Sequence, residues 1–387
     1  MTIATKPKSS GSRRRDRTTK ETSWSKVFDN WAITVIPPPR SPRLAFDVAT
    51  LAIFAEFLGS NGNGRWVPVQ YGCPVPSNTG KQSPASVGTG VDLPVVVAVC
   101  TFRRPVLLAA LLEALTSQLD TRTRIVVVDN DHAGSAERVV REFSGVAYVL
   151  EGRPGVAVAR NRALRERRPG EAIAFIDDDE IPSSQWLENL RSCMGESGGD
   201  AVGGPVLTRY ASGVPCWVRR TGIHQRSERP AGPTGHLATN NVLVAPSAFE
   251  KMPDPTFSLE FNSTGGEDTD FFDRLIAAGG RTHWCPSATV EEVVERDRSN
   301  LRWIFSRGVQ TGVTSARLAA RTKPRILVAA KGGARFLRGA CLLIASLGLN
   351  FGLIRSAILD LSNGFGTLKG SLGLTKDYYG AGSSGHE

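Results

Sequence analysis

Four acids in a row, Asp177-Asp178-Asp179-Glu180, follow the apolar run Ala172-Ile173-Ala174-Phe175-Ile176. A run without polar alternation reads as a strand buried on both faces. The acids then stand at its carboxyl end, where open α/β sheets bind ligands. Adjacent carboxylates repel one another, and a divalent cation with oxygen ligands would relieve that repulsion. In extended backbone Asp177 and Asp179 project to the same side. The plainer alternative is a hydrated acidic turn after a core strand, which the acids alone do not exclude.

Other strand ends bear on that choice. Pro94 to Cys100 reads as a buried strand ending in Thr101-Phe102-Arg103-Arg104, and Arg124 to Asp129 as a second ending in Asp129-Asn130-Asp131. If the strands are parallel, these ends share one edge with the acids. An aromatic ring, an amide, carboxylates and an arginine there suit a nucleotide, with the ring on the base and a metal on the pyrophosphate. Farther on, Gly152-Arg153-Pro154-Gly155 opens a helix carrying Arg160-Asn161-Arg162. Helix amino termini and arginines favour phosphate, although a hydrated basic helix face fits as well. Gly265-Gly266-Glu267-Asp268 opens another helix. Acids in a first turn complement the helix dipole, and one could equally serve as a general base.

The elements that position these groups alternate. After a strand at 94–100 come helical spacing at 105–119, a strand at 124–129, a helix at 135–143, a short strand at 146–150, a helix at 156–167 and the strand at 172–176. Strand–helix alternation implies a mostly parallel, Rossmann-like sheet with right-handed crossovers. The rhythm then changes. Residues 183–194 read as helix, 201–207 and 239–244 as strands, 209–236 as irregular, 281–294 as extended and 300–320 as helix.

The flanks differ from this middle. Residues 1–92 combine a basic tail expected to be disordered, one short helix near 43–58 and a Gly/Pro/Ser/Asn-rich linker. The formal net charge is +10, concentrated in residues 1–20 and 317–338. That asymmetry points to a polyanion. No nucleic-acid module is visible, so an anionic membrane surface is the expected partner, with no nucleic acid. Between Arg338 and Arg355 lie 16 uncharged residues, short of the roughly twenty that a spanning helix needs. Over residues 336–361 an interfacial or re-entrant segment, a buried core helix and, less readily, a true span all remain open. No cysteine pair has C-x-x-C spacing, which argues against zinc or a disulfide framework and for a reducing cytoplasm.

Taken together, Val97–Pro105 (Val-Ala-Val-Cys-Thr-Phe-Arg-Arg-Pro), Val126–Asn130, Ala159-Arg160-Asn161, Phe175–Asp179 and Gly265–Asp268 resemble, in order and spacing, family 2 glycosyltransferases of the GT-A fold. The similarity is greatest to bacterial exopolysaccharide enzymes of the succinoglycan type. It covers roughly residues 93–312, leaving 313–387 as a basic, apolar, membrane-associating region with a helical tail. The resemblance implies an inverting, metal-dependent hexosyltransferase using a nucleotide sugar, most simply UDP-linked. The acceptor would be a lipid-linked saccharide or polysaccharide at the inner face of the cell membrane. It implies Mg²⁺ or Mn²⁺ on Asp177 and Asp179, and nucleotide-sugar contacts from Thr101, Phe102, Arg103, Asp129, Asn130, Arg160, Asn161 and Asp178. It also implies Asp268 as catalytic base, with Glu267, Arg302 and Trp303 on the acceptor side. Arg103 stands where the family commonly has Asn, and Asn130 where it commonly has a second Asp. Two rival readings are a nucleotidyltransferase, which usually carries a Gly-rich loop after the first strand, and a catalytically silent partner in a polysaccharide-synthesis complex.

Overall fold

The computed structural model describes residues 93–374 apart from 227, 236 and 347–349. The expectations for residues 1–92 lie outside the described residues. Four parallel strands, β1 (Val95–Thr101), β2 (Thr123–Asp129), β3 (Val146–Leu150) and β4 (Ala172–Asp177), stand in the order β3-β2-β1-β4. Helices α1 (Pro105–Thr116), α2 (Glu137–Val140) and α3 (Val156–Arg165) connect them. The strands are apolar throughout because both faces are covered. Val95, Val97 and Val99 point into one core with Leu108, Leu111 and Leu112 of α1. Val96 and Ala98 point into the other, with Ala157, Ala159 and Ala163 of α3.

Beyond β4 the sheet becomes mixed. It continues through β9 (Asn241–Val244), β6 (Ala201–Gly203), β10 (Thr282–Trp284) and β8 (Gly232–Pro233), with β9 antiparallel to both β4 and β6. A second, three-stranded sheet has the order β5 (Glu180–Pro182), β11 (Val290–Val294), β7 (Val206–Tyr210). The extended stretch expected at 201–207 is thus two strands in different sheets. The chain turns at Gly204, where a β-carbon would come within 2.0 Å of the Ala288 carbonyl oxygen.

The remaining helices are α4 (Trp186–Ser197), α5 (Cys216–Thr221), α6 (Pro246–Lys251), α7 (Glu267–Ala277), α8 (Leu301–Ala319), α9 (Arg325–Ala345) and α10 (Phe351–Ser371). The second helix is a single turn rather than the expected 135–143. The stretch expected to be irregular at 209–236 contains α5 and β8. The apolar tail is not one segment but two helices. A third core joins Trp217 and Val218 of α5 to Leu301 and Ile304 of α8 and to Ile354 and Ile358 of α10. The boundary expected between 312 and 313 therefore falls inside α8. Apolar packing carries α8 and α10 together across it. No described helix is long and apolar enough to cross a membrane. Cys100, Cys193, Cys285 and Cys341 are free.

Candidate functional site

Parallel register brings the expected edge together. Thr101 is level with Asp129, and Cys100 with Asp177. The loop after β1 reaches the acids directly. Thr101 Oγ1 donates to Asp178 Oδ2 at 2.7 Å, and Arg104 Nη1 donates to Asp178 Oδ1 at 2.9 Å and Asp179 Oδ2 at 3.1 Å. Arg298, in the turn before α8, donates through Nη1 to the same Asp179 oxygen at 3.0 Å and contacts Glu292 Oε1 at 3.4 Å. Asp179 is thus clamped by two arginines from distant parts of the chain.

Asp177 ends β4 and is half-buried. Desolvation by the surrounding protein pushes its carboxyl up to about 6, with Arg160 opposing and Asp179 and Asp178 adding to the rise. Burial likewise raises Asp178, against Arg104 and the Thr101 bond. Glu180 is buried beneath them. Burial and the nearby Asp177 raise its carboxyl well above the usual range, although Asn240 Nδ2 donates to it at 2.9 Å.

The second acidic motif joins from the opposite side. Gly265 and Gly266 have φ of 76° and 101°, a region that favours glycine. A β-carbon on Gly266 would come within 2.2 Å of Thr314 Cγ2 on α8. This turn sets Glu267 and Asp268 in the first turn of α7. Arg160 of α3 bridges the two motifs. Its Nη1 pairs with Glu267 Oε1, and its Nη2 lies 3.6 Å from Asp177 Oδ1. Glu267 is buried, and its Oε2 has no hydrogen-bond partner. Asp268 is half-buried and accepts from the Thr269 amide at 2.7 Å.

Several expected ligand contacts are committed within the fold. Asp129 is fully buried. It accepts from the amides of Asp131 (3.0 Å) and Ala136 (2.7 Å) and from Tyr148 Oη (3.2 Å), so it braces the loop after β2. Asn130 donates to the carbonyls of Glu151 (2.9 Å) and Arg153 (2.7 Å) and accepts from the Gly155 amide (2.8 Å), fastening the entry to α3. The Asn161 amide exchanges two 2.8 Å bonds with the Phe257 backbone and docks the chain before α7. Phe102 remains exposed, with the Arg103 guanidinium 4.9 Å from its ring centre, and Arg103 also reaches Asp131 at 3.2 Å. Arg302 is exposed in the first turn of α8. Trp303 packs 5.8 Å from His224 in the third core. Arg298, one turn before Arg302, is the residue of this stretch that touches the acids. Sequence reasoning missed it, because only the folded chain brings it to Asp179. A cavity of about 720 Å³ behind α3, lined by Asn161, Phe249, Phe257, Asp270, Arg274 and Arg321, contains none of the acids 177–180.

Among the described residues, no three His, Cys, Asp or Glu side chains are grouped to hold a metal. Mg²⁺-type sites take one or two carboxylates and complete the shell with water and substrate phosphates. Asp177 and Asp179 have the oxygen donors that this mode uses, with Asp179 bonded to Arg104 and Arg298.

The sequence matches Glycosyl transferase family 2 over residues 96–249. It is 35% identical over 234 residues to the succinoglycan biosynthesis protein ExoM of Rhizobium meliloti (strain 1021), covering 58% of this chain and 74% of that protein. The chain belongs to glycosyltransferase family 2. Family membership and the sheet order agree on a GT-A-type fold with a helical carboxyl-terminal region. The glycosyltransferase AglE of Haloferax volcanii is 28% identical over 186 residues, covering 46% of this chain and 55% of that protein. Among solved structures, S. aureus TarS 1-349 aligns with a TM-score of 0.41 at 16% identity, over 57% of this chain and 65% of that one.

Proposed function

We propose that the protein transfers a hexose, with inversion, from a UDP-linked nucleotide sugar to a lipid-linked saccharide or polysaccharide in cell-surface glycan synthesis. The observation that carries this reading is Arg160, which contacts both Asp177 at the end of β4 and Glu267 in the first turn of α7. Similarity to a protein named for succinoglycan biosynthesis supports the exopolysaccharide assignment.

In this reading the exposed Phe102 ring stacks on the base, and Arg103 lies at its edge. Asp177 and Asp179 hold Mg²⁺ or Mn²⁺, which when bound neutralises charge on the leaving diphosphate. Arg104 and Arg298, released from Asp179, turn to the same phosphates. Asp268 takes the proton from the acceptor hydroxyl as its oxygen forms the new bond to the anomeric carbon. The bond to the diphosphate breaks on the opposite face, so one displacement inverts the centre without an enzyme nucleophile. Glu267, held by Arg160, fixes the turn that aims Asp268. Arg302 and Trp303 border the acceptor side. In this reading the lipid-linked acceptor is met at the inner face of the cell membrane.

The test is turnover of a nucleotide-sugar panel with Mn²⁺ or Mg²⁺ and a lipid-linked acceptor, followed by analysis of the product anomer. Asp268→Asn is expected to lower transfer by roughly 10²–10⁴-fold while leaving donor binding intact. Full activity in that variant would remove Asp268 from its role. A wild-type protein that binds donor yet transfers nothing to any acceptor would favour a silent partner in a synthesis complex.

A further inference from the structure

The inner side of α9 packs on α10 through small residues. A β-carbon on Gly339 would come within 2.7 Å of the Leu361 amide nitrogen. The outer side is apolar and uncovered by any described residue. Ile326 is 75% exposed, Leu337 65% and Ile344 68%. Ala330, Ala334 and Cys341 are exposed between them. The six recur at intervals of three and four, which sets them in a single stripe along one face.

The surroundings of that stripe are basic. Lys331 and Arg338 border one edge, and Lys323 and Arg325 stand at the amino-terminal end. No acid occurs between Asp297 and Asp360. Asp360 itself is buried on α10 and accepts from Arg335 Nε at 2.9 Å and Arg338 Nε at 2.6 Å. Asp360 thus offsets Arg335 and Arg338, and the positive charge beside the apolar stripe comes from Lys323, Arg325 and Lys331, which have no acid near them in the sequence.

We propose that α9 is the surface by which the protein docks on an anionic lipid bilayer, lying in the plane of the interface. The stripe would enter the boundary between headgroups and acyl chains, and the lysines and arginines would meet lipid phosphates. Charge chooses this occupant. A second copy would bring the same positive face and be repelled, whereas an anionic bilayer supplies apolar depth and negative charge together. The inference deepens the reading of a membrane-borne acceptor, but its test uses neither donor nor acceptor, so the two can fail separately.

The full chain is mixed with vesicles of phosphatidylcholine alone, or of equal parts phosphatidylcholine and phosphatidylglycerol, and floated on a density gradient. Wild type is expected to float with the anionic vesicles and to detach as salt is raised. Ile326→Ser/Leu337→Ser/Ile344→Ser is expected to weaken that binding at least tenfold, and Lys323→Glu/Lys331→Glu to abolish the preference for anionic vesicles. Melting temperatures are expected to match wild type, because these side chains are already exposed. Absence of wild-type flotation, or equal flotation of the triple variant, would overturn the proposal. A triple variant with a lowered melting temperature would place the stripe against its own chain. A wild-type dimer that the triple variant dissolves, seen by sedimentation velocity without flotation, would give the face to a second copy.

Discussion

Arg160 pairs with Glu267 in a buried contact and reaches Asp177 with its other nitrogen at 3.6 Å. One guanidinium therefore offsets two carboxylates from motifs far apart in the sequence. Removing one member of a buried ion pair leaves the other charge without a counterion, which costs about 3–5 kcal/mol. Arg160→Met is expected to lower stability by about that amount and to abolish transfer. Glu267→Gln in the Arg160→Met background is expected to recover much of the stability and none of the activity. A denaturant-unfolding double-mutant cycle checks this, and strictly additive effects would show that the pair is not coupled.

Arg104 and Arg298 donate to the same oxygen of Asp179. A cation bound to Asp179 would compete with both arginines for the carboxylate charge. Arg298→Ala is expected to tighten Mn²⁺ binding several-fold in the absence of donor, because one competitor is gone. The same change is expected to weaken nucleoside diphosphate binding in the presence of Mn²⁺, because one phosphate partner is gone. Titration calorimetry reads both, and weaker Mn²⁺ binding by the variant would argue against Asp179 as a ligand.

Much of this was legible before the fold was known. Strands β1, β2 and β4 announce themselves because burial on both faces demands unbroken apolar runs, and helical spacing marks α1 and α3. The acids of β4 and the Gly-Gly-Glu-Asp turn were legible as motifs. Their union through Arg160 was not, because ion pairs leave no periodic trace. Asp129, Asn130 and Asn161 were ambiguous for a related reason. A polar residue at a strand or helix end can face a ligand or satisfy nearby backbone, and composition does not distinguish the two. Asp129 and Asn161 both satisfy backbone. Several glycines of the last three helices are the points where those helices touch.

That contact can be tested with two glycines. A β-carbon on Gly312 of α8 would fall 2.2 Å from the Asn363 carbonyl oxygen of α10, whereas one on Gly333 of α9 meets nothing within 4 Å. Gly312→Ala is expected to destabilise by about 1–3 kcal/mol through overpacking. Gly333→Ala is expected to stabilise by up to about 1 kcal/mol through helix propensity. Because α8 also braces the Gly265-Gly266 turn through Thr314, only Gly312→Ala is expected to lower transfer. Thermal unfolding and turnover of the two variants check the contrast. Equal effects would mean that α8 and α10 do not pack this closely.

Asp200 ties three elements at the end of the sheet opposite the site, and it sets an acid limit on stability. It accepts from Ser247 Oγ and Lys251 Nζ, each at 2.6 Å, and from the Arg281 amide at 2.7 Å. Burial works to raise its carboxyl, but the Lys251 and Ser247 bonds prevail and hold it below the usual carboxylate range. A depressed folded value means that the native state binds fewer protons than the unfolded chain. The stabilisation is therefore present above the unfolded pKa of about 3.9 and is lost as pH falls through the lower folded value. Asp200→Asn is expected to cost about 2 kcal/mol at neutral pH, less than a fully buried pair because Lys251 is partly hydrated. The gap between variant and wild type is expected to close as pH falls below about 4. Denaturant unfolding across that range measures it. Curves that stay parallel down to the lowest pH would show that Asp200 is not charged in the native protein.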